Sequence, residues 1–343
     1  RTSSSAASDV YKRQQYEMHT VEQLGLLKMD FLGLRNLSIV DRTLELIGSE
    51  SLDIDNLKLD DEKTFKLFAE GKMTGVFQLE SRVAQSTSRS LKPKRFEDIV
   101  ALVALIRPGP LGAGMHNEFA DRANNRKEIE YLHNDLESIL NETYGVILYQ
   151  EQVMQIAEKI AGFNLQEADN LRVAMGKKIP KVMEEQRKKF TDGAVSNNYS
   201  EQFAIELFDQ IAYFAGYGFN KSHSVPYALL AYQTAYLKAN YPAEYIAACL
   251  TAVKRDKDRT AIFLSEARDM GVKVSTPDVN LSSSDFTVND NEILFGLSAV
   301  RNVGDITADK IVFERESNGL FESIEDFLSR IDSRSLNKRG VEA

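Results

Sequence analysis

Val153-Met154-Gln155-Ile156-Ala157-Glu158-Lys159-Ile160 places apolar residues at 153, 156, 157 and 160, the spacing of an α-helix with one buried face. Ala204, Leu207 and Ile211 repeat the pattern, and from about residue 60 to residue 270 helical periodicity dominates. The texture changes on either side of that region. Upstream, Leu26 to Leu32 alternates, with Leu27, Met29 and Phe31 on one face of an expected strand and Lys28 with Asp30 on the other. Gly33 breaks the strand, and Leu37, Val40, Leu44 and Ile47 return to helical spacing until Gly48 ends the run. Downstream of Met270, the segments Lys273 to Thr276 and Ile293 to Phe295, with Pro277 and the triplet Ser282 to Ser284 between them, predict short strands and loops. The expected fold is therefore mainly α, with a small α/β piece at the start, a helical middle and an α+β region after a boundary near residue 275.

At 343 residues the chain is long enough for two or three domains, and 43% hydrophobic content excludes an intrinsically disordered protein. Ile99 to Ile106, the longest apolar run, has 8 residues, against the roughly 18 needed to cross a bilayer, so no membrane span is expected. Cys249 is the only cysteine, which excludes an internal disulfide and a Cys-based zinc site and makes a reducing cytoplasm the expected location. Arg1 to Gln15 is Ser/Ala-rich and aperiodic, without the apolar core of a signal peptide. It is expected to be a disordered or non-native leader, with the folded body starting near Tyr16. No internal repeat is present.

The net charge of -9 argues against a general nucleic-acid coat protein, but the charge is unevenly spread. Leu171 to Phe190 holds seven Lys or Arg against two acids, and Arg82 to Arg95 holds five with no acid at all. Two basic islands in an acidic chain point to localised anion binding.

Four groups of residues bear chemistry. Lys28 and Asp30 share one face of a strand, roughly 7 Å apart, which suits a metal-bound triphosphate, although taken alone any exposed strand face can show such a solvated pair. Arg107-Pro108-Gly109-Pro110 fixes a rigid turn after an apolar run. Lys177 and Lys178, between Gly176 and Pro180, continue a helix carrying Arg172 into a break, either as a phosphate site or as a solvated face. The run Ala215 to Ser224 combines two glycines, two aromatics and five polar side chains, of which Asn220, Lys221, Ser222 and His223 can bond phosphate or sugar. Ser224 also suits the N-cap of a following helix, with Pro226 in its first turn.

Lys28-Met29-Asp30-Phe31-Leu32-Gly33-Leu34, Arg107 to Pro110, Tyr149-Gln150-Glu151-Gln152-Val153-Met154, Ala174-Met175-Gly176-Lys177-Lys178 and Gly216 to Ser224 occur in this order in bacterial replicative DNA polymerases of family C. The chain resembles that family from about Tyr16 to Ala343. The resemblance implies that residues 16–47 are the last piece of the palm, with Asp30 as one of three metal-binding carboxylates and Lys28 beside the incoming triphosphate. Residues 48–275 would be the helical fingers. There Arg172, Lys177 and Lys178 would contact the triphosphate, and Asn220 to His223 would border the nucleotide. Residues 276–343 would begin a duplex-binding region, in which Leu297 to Val312 resembles a helix-hairpin-helix or an ordinary helical hairpin. Arg107, Asn302 and Gly304 are the expected DNA contacts, Asn302 standing where the pattern has glycine and being one of the few residues that accept a positive φ.

Other positions also depart from the family pattern. Val173 follows Arg172 where a second basic residue is common, Val83-Ala84 replaces Gly-Met, and Pro226 replaces a small residue. The Pro-Asp-x-Asp-x-Asp segment that carries the other two carboxylates does not occur in this sequence. The expected function is part of a DNA-directed DNA polymerase that joins a dNTP to a primer 3'-hydroxyl with two Mg2+ ions. Primer-template DNA and dNTP are the expected partners, with a sliding clamp and other replisome subunits met through other regions of the polymerase. The rival reading is a non-catalytic DNA-binding or scaffold protein that keeps the fingers and hairpin. Because one carboxylate cannot hold two metals, this chain by itself is expected not to extend a primer; template-dependent extension by a contaminant-free preparation would contradict that.

Overall fold

The spacing around Val153 becomes a helix over Gln150–Ala161 in which Val153, Ile156, Ala157 and Ile160 are all buried. The computed structural model describes residues 17–26, 33–48, 52–177, 180–214, 217–332, 336 and 338–343. Two units are distinguished, residues 1–35 and 36–343. In the first, α1 (Met18–Gln23) is capped by the Glu17 carboxylate, which accepts the Thr20 N–H at 2.9 Å. Leu27 to Leu32, and with them the expected strand, Lys28 and Asp30, lie outside the described residues.

The second unit is entered by α2 (Arg35–Ile47), which stops at Gly48 with φ +91, as the spacing of Leu37 to Ile47 predicts. Then follow α3 (Glu62–Glu70), α4 (Arg82–Leu91), α5 (Phe96–Leu105), α6 (Pro108–Gly112), α7 (Met115–Ala123) and the single turn α8 (Glu137–Leu140). Next come α9 (Gln150–Ala161), α10 (Leu165–Lys177), α11 (Pro180–Ser196), α12 (Glu201–Phe214), α13 (Lys221–Asn240), α14 (Pro242–Val253) and α15 (Lys257–Asp269). The chain then forms β1 (Lys273–Val274), β2 (Thr287–Asn289) and β3 (Glu292–Leu294), and ends in α16 (Asp305–Asn318), α17 (Ile324–Arg330) and α18 (Lys338–Val341). Among the described residues no helix is long and apolar enough to cross a membrane.

α5 is the centre of the helical region. Every residue from Asp98 to Leu105 is buried, because α13 packs along one side of the helix while α4, α6 and α7 close others. Asp98 is tolerated there because its carboxylate accepts the Lys94 N–H, the Arg95 guanidinium and the Tyr144 hydroxyl. Leu67 of α3, Ile99 to Leu105 of α5, the α9 stripe, and Leu207, Phe208 and Ile211 of α12 share one apolar cluster. A second cluster joins Ile39 and Val40 of α2 to α14, α15 and the sheet through Ile246, Leu250, Phe263, Phe286 and Ile293. A third, smaller one packs Ala308 and Ile311 of α16 against Phe321, Ile331 and Leu336. The sheet runs β1-β3-β2, with β1 parallel and β2 antiparallel to β3. Asp290 and Asn291, at φ +46 and +63, make the two-residue turn between β2 and β3.

Two local expectations are corrected. Ser224 does not cap α13: Asn220 does, its Oδ1 accepting the His223 N–H at 2.9 Å, while the Ser224 hydroxyl is buried and donates to the Val100 carbonyl of α5 at 2.6 Å. α13 thus starts four residues earlier than a Ser224 cap implies, and Pro226 falls in its second turn. There Pro226 and Ser222 are both exposed, so the Ser222 carbonyl that loses its amide partner can turn to water. The first arm of the expected hairpin is not an α-helix; Leu297–Ala299 forms a single 3-10 turn before α16. Asn302 does adopt φ +65, and Gly304 is the N-cap of α16.

Candidate functional site

The turn sequence Arg107 to Pro110 ends α5 and, with Pro108 at its first position, starts α6. Opposite it, the segment Tyr217 to His223 leads into α13. The two enclose a cleft of about 440 Å³, lined by Arg107 to Pro110, Gln150, Gly176, Tyr217 to Asn220 and His223. Gly109 has no room for a side chain: a Cβ there would lie 2.3 Å from the Tyr217 ring. The Arg107 guanidinium lies over the Phe219 ring at 4.6 Å from its centroid, and Phe219 meets His223, which stacks on Tyr227 at 4.3 Å.

A smaller hollow beside the cleft shares Gln150, Gly176 and Gly218 with it and adds Arg172. Of the expected site residues, Arg107, Asn220 and His223 therefore meet in one cleft and Arg172 adjoins it. Lys177 ends α10, next to the lining residue Gly176. Lys178, like Lys28 and Asp30, lies outside the described residues. Lys221 and Ser222 do not line the cleft. The Lys221 ammonium is bonded to Glu142 Oε2 at 2.6 Å and lies over the Tyr149 ring, whose buried hydroxyl is pushed to a raised pKa by desolvation and by nearby Glu142 and Glu151. Asn302 and Gly304 are exposed at the turn before α16, whose first residue Asp305 pairs with Lys254 at 2.5 Å and with Arg255.

The two basic islands differ in a way that residue counts along the chain did not reveal. In the first, Arg172 pairs with Asp169, Arg187 with Asp209, Lys188 with Asp192 and Lys189 with Glu167, so carboxylates outside the 171–190 stretch neutralise much of it. In the second, Arg82, Arg89, Lys92 and Lys94 are exposed and pair with no carboxylate among the described residues. Among the described residues no three His, Cys, Asp or Glu side chains converge to hold a metal ion. A larger cleft of about 700 Å³, lined by Met115, Arg122, Glu206 and Tyr213 among others, contains none of the motif residues.

A family model for the bacterial DNA polymerase III alpha subunit finger domain matches residues 36–198, and a helix-hairpin-helix motif model matches residues 271–343. Over these residues the chain is similar to bacterial DNA polymerase III alpha subunits. It is 48% identical over 335 residues to the DNA polymerase III subunit alpha of Thermus aquaticus, covering 96% of this chain and 28% of that one. With the Escherichia coli K12 subunit the identity is 45% over 341 residues, covering 96% and 29%. The Mycobacterium tuberculosis H37Rv subunit is 45% identical over 329 residues, covering 94% and 28%. The chain spans a little over a quarter of the length of these curated relatives.

Proposed function

We propose that the chain is part of a replicative, template-directed DNA polymerase: the end of the palm over residues 16–47, the fingers over 48–275 and the start of a duplex-binding hairpin region over 276–343. The observation that carries this reading is the cleft in which Arg107, Asn220 and His223 meet beside Arg172 and the end of α10. In the reaction, the primer 3'-hydroxyl attacks the nucleotide α-phosphorus, the bond to the bridging oxygen breaks and pyrophosphate leaves. Arg172, Lys177 and Lys178 bind the triphosphate, with Lys28 beside it, and Asn220 and His223 border sugar and base. Mg2+ held at Asp30 would supply stabilisation of the charge that develops on the phosphoryl oxygens. Asn302 and Gly304 face duplex phosphates, and a sliding clamp acts on the same polymerase in the bacterial cytoplasm.

Arg172 is bonded to Asp169 at 2.8 Å, so a triphosphate must compete with that carboxylate for the guanidinium. In the full-length polymerase Arg172→Ala should raise the apparent nucleotide KM and lower the single-turnover rate, losing about 1.5–3 kcal/mol of charge-assisted contact. Duplex affinity should barely change. A residue on the DNA backbone would instead reduce the salt slope of duplex binding by about one unit and leave the nucleotide KM alone. That pattern for Arg172 would reassign it from nucleotide to DNA.

A further inference from the structure

The first turn of a helix presents amide N–H groups without intrahelical acceptors, which makes it a ready seat for a phosphate. In α13 that seat is taken by the protein itself. The Lys221 N–H is bonded to both carboxylate oxygens of Glu151, at 3.0 Å each, and the Ser222 N–H reaches Glu151 Oε1 at 3.4 Å. The His223 N–H goes to Asn220 Oδ1. Glu151 stands in the first turn of α9, so one helix start caps another across 70 residues of sequence.

The same turn of α9 grips the approach to α13. Gln150 N–H donates to the Phe219 carbonyl at 2.9 Å, Phe219 N–H donates to the Leu148 carbonyl at 3.1 Å, and the Gln150 side chain reaches the Gly218 carbonyl at 3.2 Å. Glu142, whose carbonyl accepts from Arg95, holds the Lys221 ammonium. The Gly218–His223 segment is thus fastened to the start of α9, with Asn220 and His223 on the cleft wall.

We propose that Glu151 is a positioning residue for nucleotide binding. Its carboxylate sets where the Asn220–His223 turn stands, and so how His223 and Asn220 meet a nucleotide, although Glu151 does not line the cleft. The phosphate is left to Arg172 and the end of α10, because the α13 amides are already bonded. This rests on the nucleotide reading of the cleft given above.

The test measures apparent dNTP KM, single-turnover rate, primer-template Kd and thermal midpoint in the full-length polymerase carrying Glu151→Ala, Glu151→Gln or, as a control, Arg172→Ala. Glu151→Ala should raise the KM about tenfold, the size of a lost charge-assisted hydrogen bond. Glu151→Gln, which keeps one acceptor oxygen for the Lys221 N–H, should fall between Ala and wild type. Primer-template Kd should stay within about twofold of wild type in both. If Glu151→Ala does not fold, the Gln variant carries the test by itself, and a wild-type KM in it overturns the proposal. Losses shared equally by nucleotide KM, primer-template affinity and thermal midpoint overturn it too, in favour of a purely structural cap. If Arg172→Ala raises the KM and Glu151→Ala does not, the positioning role falls and the cleft reading stands. If neither variant alters the KM, the cleft reading falls as well.

Discussion

Glu266→Ala should lower the unfolding free energy of this protein by about 3–5 kcal/mol, the cost of leaving one partner of a buried ion pair alone. Lys238 of α13 is fully buried, and its ammonium is bonded to Glu266 Oε1 of α15 at 2.7 Å and to the carbonyls of Lys72 and Thr74 at 2.7 and 2.8 Å. One side chain therefore ties α13, α15 and the loop after α3 together. Burial holds the Lys238 pKa below its ordinary 10.5, with the Glu266 carboxylate opposing that shift. Removing Glu266 lets the pKa fall further, so the variant's folded state gives up its proton at lower pH than its unfolded state does. Stability that is missing at neutral pH should then return as pH rises towards 10, and the deficit should narrow. Urea unfolding at pH 7 and pH 9.5 checks both points; a loss below about 1 kcal/mol at pH 7, typical of a surface pair, would contradict the first. The double variant Lys238→Met/Glu266→Leu should recover only part of the loss, since the Lys72 and Thr74 carbonyls lose their donor.

Asp30→Asn in the full-length polymerase should remove most turnover while leaving primer-template affinity nearly intact. A metal-holding carboxylate acts on the charge that develops as the bond to the leaving pyrophosphate breaks, so its loss is felt in the transition state more than in the bound ground state. The amide keeps the size of the side chain and removes its charge, which confines the change to that interaction. Single-turnover rate and primer-template Kd, measured on the same preparation, separate the two effects. A variant that keeps more than about a tenth of wild-type turnover would contradict the metal role proposed for Asp30.

Much of the helical region was legible because its signal is local. The Val153 stripe, the stop at Gly48 and the strands around residues 273 and 293 each follow from spacing or turn chemistry within a few residues. The start of α13 could not be read from spacing because two good capping residues stand four apart, and the choice between them is made by the Val100 carbonyl, 124 positions away, which takes the Ser224 hydroxyl. The charge count for residues 171–190 was equally incomplete, since its neutralising partners, Glu167 and Asp169 before the stretch and Asp192 and Asp209 after it, lie outside it.

The sequence by itself determined the mainly α class, the family resemblance and which residue types are available to meet phosphate, because periodicity and motif order are properties of neighbouring residues. Only the tertiary structure decided which of them share a cleft. Arg107, Gln150, Asn220 and His223 come from segments up to 116 positions apart and meet because α5, α9 and α13 pack around one apolar cluster. The same packing turns Lys221 away to Glu142, gives the α13 amides to Glu151 and buries Lys238 between two helices and a loop. A charged group's partner is set by distance in space, and no pattern along the chain encodes that distance.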